Sequence, residues 1–163
     1  MYLDGNNKTI YNLTVENGAG LISSGVSGVI ENLHLKNIIG NSACGIVYAN
    51  KGIIRNCSVE GNISFATRRN NEGGNYDSDA GGIAADNNSE GIIENCYFSG
   101  TVCGTYNVAG IVGYNRGNIR NCYVDALITG SGTGIANFAG NNNSKTSVEK
   151  CYSKKMPVKS LVI

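Results

Sequence analysis

Apolar residues in this chain come in short runs of three to six, rich in Ile and Val and closed by Gly, Asn or Ser, and the runs recur in a fixed order. One phrase returns six times: Ile10-Tyr11-Asn12-Leu13, Ile30-Glu31-Asn32-Leu33, Ile54-Arg55-Asn56-Cys57, Ile93-Glu94-Asn95-Cys96, Ile119-Arg120-Asn121-Cys122 and a degraded Val148-Glu149-Lys150-Cys151. Between the copies lie glycine-led phrases at Gly20-Leu21-Ile22, Gly45-Ile46-Val47, Gly82-Ile83-Ala84, Gly110-Ile111-Val112 and, more weakly, Gly134-Ile135-Ala136. No stretch sustains apolar residues at helical spacing, whereas β-branched runs bounded by turn formers predict strands. A repeat this short cannot bury its apolar face alone, so successive copies must stack. The pattern predicts an all-β solenoid of about five to six short coils.

Within the phrase, Ile and Cys are three positions apart yet both should point inward, which a straight strand of period two forbids. The chain must bend at the Asn, a residue that tolerates left-handed backbone angles and whose amide can bond nearby main chain. Asn32, Asn56, Asn95 and Asn121 are accordingly expected to form an internal ladder, with a few kcal/mol lost on replacing one by Leu. Cys57, Cys96, Cys122 and Cys151 share the next slot with Leu13 and Leu33, which makes it an apolar position of buried, reduced thiols. Disulfides stay open as a second reading, although in-register side chains about 4.8 Å apart point in parallel and bridge poorly. Cys44 and Cys103 fall outside the slot and read as packed residues. The glycines are expected to permit a tight turn or close approach to the next coil.

Size supports one domain over 1–163, with an irregular insertion at 65–81 and a degraded last coil at 134–163. Gly (23 residues) and Asn (24 residues) are abundant while Pro occurs once, so turn formers are punctuating strands rather than building a disordered chain. A net charge of +1 with 15% charged residues gives no field to argue for nucleic acid as partner. Lys150, Lys154, Lys155 and Lys159 cluster, which suits a solvated edge that discourages end-to-end stacking. No membrane span and no signal peptide are legible. Two origins compete: a cytoplasmic protein, or a repeat block cut from a larger exported one.

The run from Ala109-Gly110-Ile111-Val112-Gly113-Tyr114-Asn115 to Ile119-Arg120-Asn121-Cys122-Tyr123-Val124 resembles the GLUG-type repeats of bacterial surface proteins. The segment from Leu3-Asp4-Gly5 to Leu13 is similar to the opening coil of many right-handed parallel β-helices. The resemblance covers nearly the whole chain. It implies a single-domain right-handed parallel β-helix (β-solenoid), used as a passenger, stalk or adhesin-like module on a cell surface.

Function in a solenoid concentrates on its lateral faces and on loops that break the repeat. The insertion offers Arg68, Arg69, Tyr76, Asp77 and Asp79 on a Gly/Asn-rich scaffold, a set that suits a sugar, a peptide or Ca²⁺, against the plainer reading of a solvated excursion. Asp77-Ser78-Asp79 lacks the later glycine and glutamate of an EF-hand. Tyr97, Tyr123 and Tyr152, continued by Ser58 and His34, should line one exposed stripe that fits a glycan or protein surface or else braces neighbouring strands. Metal binding has little support, with one histidine and no Cys-x-x-Cys pair, and no cofactor motif is present. Catalysis would need convergent carboxylates, and only Asp77, Asp79 and Asp86 lie near one another in sequence. The expectation is a non-catalytic surface or secreted module. The alternatives are a cytosolic solenoid that binds and inhibits another protein, and a carbohydrate-binding or carbohydrate-active β-helix using 65–81.

Overall fold

The computed structural model describes residues 1–15, 19–41, 43–65, 79–154 and 159–160, and among these residues there is no helix. Every strand pairing is parallel, and the chain winds as a β-solenoid of about five turns. The turns from Ile53 onward share one sequence of sides. An isoleucine strand, such as Ile92–Glu94, leads through a corner into a long strand, such as Tyr97–Gly104. A two-residue strand such as Val108–Ala109 and a four-residue strand such as Val112–Asn115 complete the circuit. Stacking joins these into sheets of twelve, three and five strands. The isoleucine and long strands belong to one sheet because Val29–Gly40 runs unbroken round the corner.

Register explains why the repeat is legible. Ile30, Ile54, Ile93, Ile119 and Val148 lie one above another, as do Leu35, Val59, Phe98 and Val124. The first four members of the isoleucine column and all four of the second are buried to within 1% of complete exclusion from solvent. Parallel in-register strands thus turn a one-dimensional repeat into continuous apolar columns, and each column is worth its area removed from water. The glycine phrases face these columns. A Cβ on Gly82 would lie 2.3 Å from the Phe98 ring and 2.2 Å from the carbonyl oxygen of Gly110 in the next coil. Gly45 and Gly110 meet Val59 and Val124 in the same way. Close approach to the next coil was the expected reason for these glycines, and the bulky residue across the core is a second.

Three expectations need correction. Asn32, Asn56, Asn95 and Asn121 are stacked and left-handed, at φ between 52° and 53°, but the ladder is not internal: Asn56, Asn95 and Asn121 are exposed. The bend points the amides outward, because a left-handed residue between two inward side chains has only the outer side left to it.

The first copy of the phrase is also out of step. Leu3 and Asp4 pair with Ile30 and Glu31, residues 5–7 bulge opposite Asn32, and Ile10 and Tyr11 pair with Leu35 and Lys36. Asn12 then stacks on a second left-handed corner at Asn37, whose Nδ2 donates to Asn12 Oδ1 at 3.2 Å. Leu13 therefore does not occupy the slot above Leu33. Lastly, the insertion is shorter than 65–81. Phe65 pairs with Gly104, and Ala80 and Gly81 pair with Val108 and Ala109, all inside the coil.

Candidate functional site

One corner of the solenoid gathers three outward columns along its length. On the isoleucine strands, Glu31, Arg55, Glu94, Arg120 and Glu149 are in register. The corner itself carries the Asn32, Asn56, Asn95 and Asn121 amides, with Lys150 in the same left-handed conformation at φ 51°. Beyond the corner lie His34, Ser58, Tyr97, Tyr123 and Tyr152. The stripe expected from the sequence is therefore continuous.

Each column is bonded over part of its length. Arg55 Nε donates to Glu31 Oε2 at 2.6 Å, and Arg120 Nη2 to Glu94 Oε2 at the same distance. The Tyr2 hydroxyl donates to Glu31 Oε1 at 2.5 Å. That hydroxyl, with the Arg55 guanidinium, holds the Glu31 carboxyl below its ordinary range. Amides run Asn95 to Asn56 at 3.2 Å, Asn56 to Asn32 at 3.3 Å, and Asn32 to Asp4 at 3.1 Å. His34 Nδ1 lies 2.8 Å from Ser58 Oγ.

The Tyr97 and Tyr123 rings stack with centroids 5.6 Å apart and planes 16° from parallel. Stacking spends the ring faces that meet on each other, so this pair offers edges and hydroxyls rather than the open faces a sugar ring prefers. Tyr152, 69% exposed, keeps more of its surface free.

The other predicted residues fall elsewhere. Arg68, Arg69, Tyr76 and Asp77 lie outside the described residues. Asp79 accepts from Asn107 Nδ2 at 2.7 Å. Asp86 pairs with Arg116, which also donates to Asn88 at 3.0 Å and sits over the Tyr114 ring. Asp79 and Asp86 are thus each bound to a different neighbour. Among the described residues no group of three or more His, Cys, Asp and Glu side chains gathers to hold a metal ion, and no helix is long and apolar enough to cross a membrane.

The cysteine slot is buried at Cys57, Cys96 and Cys122 and half-buried at Cys151, and none of these four is in a disulfide. Each thiol in the slot reaches the carbonyl two residues earlier: Arg55 at 3.1 Å, Glu94 at 3.2 Å, Arg120 at 3.3 Å and Glu149 at 3.3 Å. A thiol can donate there while filling an apolar space, which Leu cannot do. Burial pushes Cys96 well above the ordinary thiol range and Cys44 up to about 12. Cys103, expected to be packed, is exposed, because it stands in register with outward Ser64 and Thr129.

Sequence reasoning missed a second asparagine column. Asn50, Asn87 and Asn115 are fully buried, and their amides are linked in series, with Asn142 beyond, at 2.8 Å per step. They also close the turn into each isoleucine strand. Gly52 N–H donates to Asn50 Oδ1 at 3.1 Å, and Asn115 Nδ2 donates to the Gly117 carbonyl at 3.1 Å. The Asn-x-Gly spacing at Asn50–Gly52 and Asn115–Gly117 was the available signal.

Residues 104–129, which carry one member of every column just described, match the family described as the GLUG motif. A stretch of 99 residues is 35% identical to halomucin of Haloquadratum walsbyi, covering 56% of this chain and 1% of halomucin. The chain therefore corresponds to a very small part of that protein. No solved structure matches the chain. The GLUG segment spans the same strand, corner and strand that build each later turn, so the β-solenoid repeat module is visible in both sequence and coordinates.

Proposed function

We propose that this chain is a non-catalytic β-solenoid module of a surface or secreted protein, serving as a spacer and presenting its three-column corner to a protein or glycan surface. The observation that carries the reading is the register. Residues at equivalent positions stack turn upon turn, so further coils of this kind would lengthen the object without changing its cross-section. The GLUG segment and the likeness to a short stretch of halomucin support a repeat block within a long protein. The occupied carboxylates at Asp79 and Asp86 favour presentation over chemistry.

Display is tested by treating intact cells that make the native protein with a membrane-impermeant label. Labelling before lysis is expected, and labelling that appears only after lysis would sink the surface assignment. Presentation is tested on a glycan and peptide array with the wild type and a Tyr97→Ala/Tyr123→Ala/Tyr152→Ala variant. Binding by the wild type that the variant loses supports the stripe, whereas Arg68→Ala/Arg69→Ala sensitivity alone would move the site to the insertion.

A further inference from the structure

The charged column carries more order than the fold requires. Its sign reverses at every turn: Glu31, Arg55, Glu94, Arg120, Glu149. Its ion pairs are not spread evenly. Arg55 binds Glu31 and Arg120 binds Glu94, so each basic turn closes on the acidic turn before it. Glu149 opens the next such pair and has no ion-pair partner among the described residues. Among the described residues, strands Ser147–Glu149 and Tyr152–Ser153 each have one hydrogen-bonded neighbour, on the side of Asn118–Arg120 and Tyr123–Gly130 respectively. The same edge leaves Val148 37% exposed, although its equivalent Ile119 is shut inside the column stack, and Tyr152 69% exposed against 40% for its equivalent Tyr123.

We propose that this edge is a docking surface for one further β-solenoid turn that sets a guanidinium over Glu149 and an apolar side chain over Val148. The pairing rule inside the chain defines the partner: an acidic turn is followed by an arginine turn. A second copy of this chain does not satisfy that rule. Its opposite edge would place Leu3 suitably over Val148 but Asp4 over Glu149, because Leu3 and Asp4 hold those two columns there. Like charges directly opposite on neighbouring strands repel. The edge thus selects a different coil from the one the chain could offer itself, and the selection holds whether or not the module is displayed on a surface.

The test extends the full chain after Ile163 with a second copy of residues 105–130, which brings an Arg120 equivalent into reach of Glu149. Docking is expected to raise the Tm by at least about 2 °C. It should also slow alkylation of Cys151 about tenfold or more, with exposed Cys103 as the internal reference. Arg120→Glu in the copy alone should remove most of both effects, and adding Glu149→Arg should restore them. Unprotected Cys151 beneath the native copy overturns the proposal, as does a charge reversal that costs the same in the Glu149 and Glu149→Arg hosts. Should the extended chain aggregate, a double-mutant cycle at Glu94 and Arg120 in the unextended chain decides: coupling supports the pairing rule, and strict additivity overturns it.

Discussion

Two asparagine columns run the length of this solenoid and use the same side chain for different ends. Asn32, Asn56, Asn95 and Asn121 are left-handed corner residues, and the amides of the first three bond in series at 3.2–3.3 Å at the surface. Asn50, Asn87 and Asn115 have ordinary backbone angles, exclude solvent completely and bond at 2.8 Å. In the outer column the backbone conformation matters most, because water can replace an exposed amide bond. In the inner column the amide itself matters most, because nothing can replace it. A repeated residue therefore does not by itself reveal which of its properties is being used.

The largest effect should come from the inner column. Asn87→Leu leaves the Asn50 and Asn115 amides without their partner and is expected to cost about 3 kcal/mol. Asn87→Gly should be almost as damaging, and urea denaturation measures both; a loss under about 1 kcal/mol would erase the distinction between the columns. At the outer column the order reverses. Asn95→Ala should cost about 1–2 kcal/mol from left-handed strain, whereas Asn95→Gly should cost less than Asn95→Ala because glycine has no Cβ. Equal losses would mean that the exposed amide, rather than the bend, governs that corner.

Lys150 offers the converse case, since it holds a φ of 51° where the other turns have Asn. Lys150→Asn is expected to raise stability by about 0.5–1 kcal/mol, read from the denaturation midpoint at unchanged slope. The smallest effect is a pH dependence beside the outer column. Glu31 has its pKa lowered below the ordinary 4.5 in the folded chain, by the Tyr2 hydroxyl and then by Arg55. Its contribution is full above 4.5 and is lost as pH falls through the lowered value. Thermal melts from pH 7 down to pH 2 should therefore show a steeper loss for the wild type than for Glu31→Gln.

Much of this architecture was readable from residue order. The Ile-x-Asn-Cys phrase fixed a bend because two inward residues three apart leave no other geometry, and the tyrosine stripe followed from the same count. The outward direction of the corner amides was implied by the same count, since an Asn bent between two inward side chains has only the outer side left, but the expectation of an internal ladder did not use it. The register of Ile10-Tyr11-Asn12 was hidden as well. The phrase is intact, but Leu3 and Asp4 had already taken the place it seemed to claim, and the bulge at residues 5–7 reset the count. The facing of Gly82 and Phe98 depends on two sheets meeting across the core, a relation that no local pattern encodes.

The connection between the long strand and the short sheet varies in length without disturbing what it connects. Three residues bridge Gly104 to Val108, while fourteen bridge Phe65 to Ala80, yet Phe65 still pairs with Gly104 and Ala80 with Val108. That joint behaves as a splice port: foreign peptide could be threaded through it, and a lineage could vary what it carries there while the shaft stays the same.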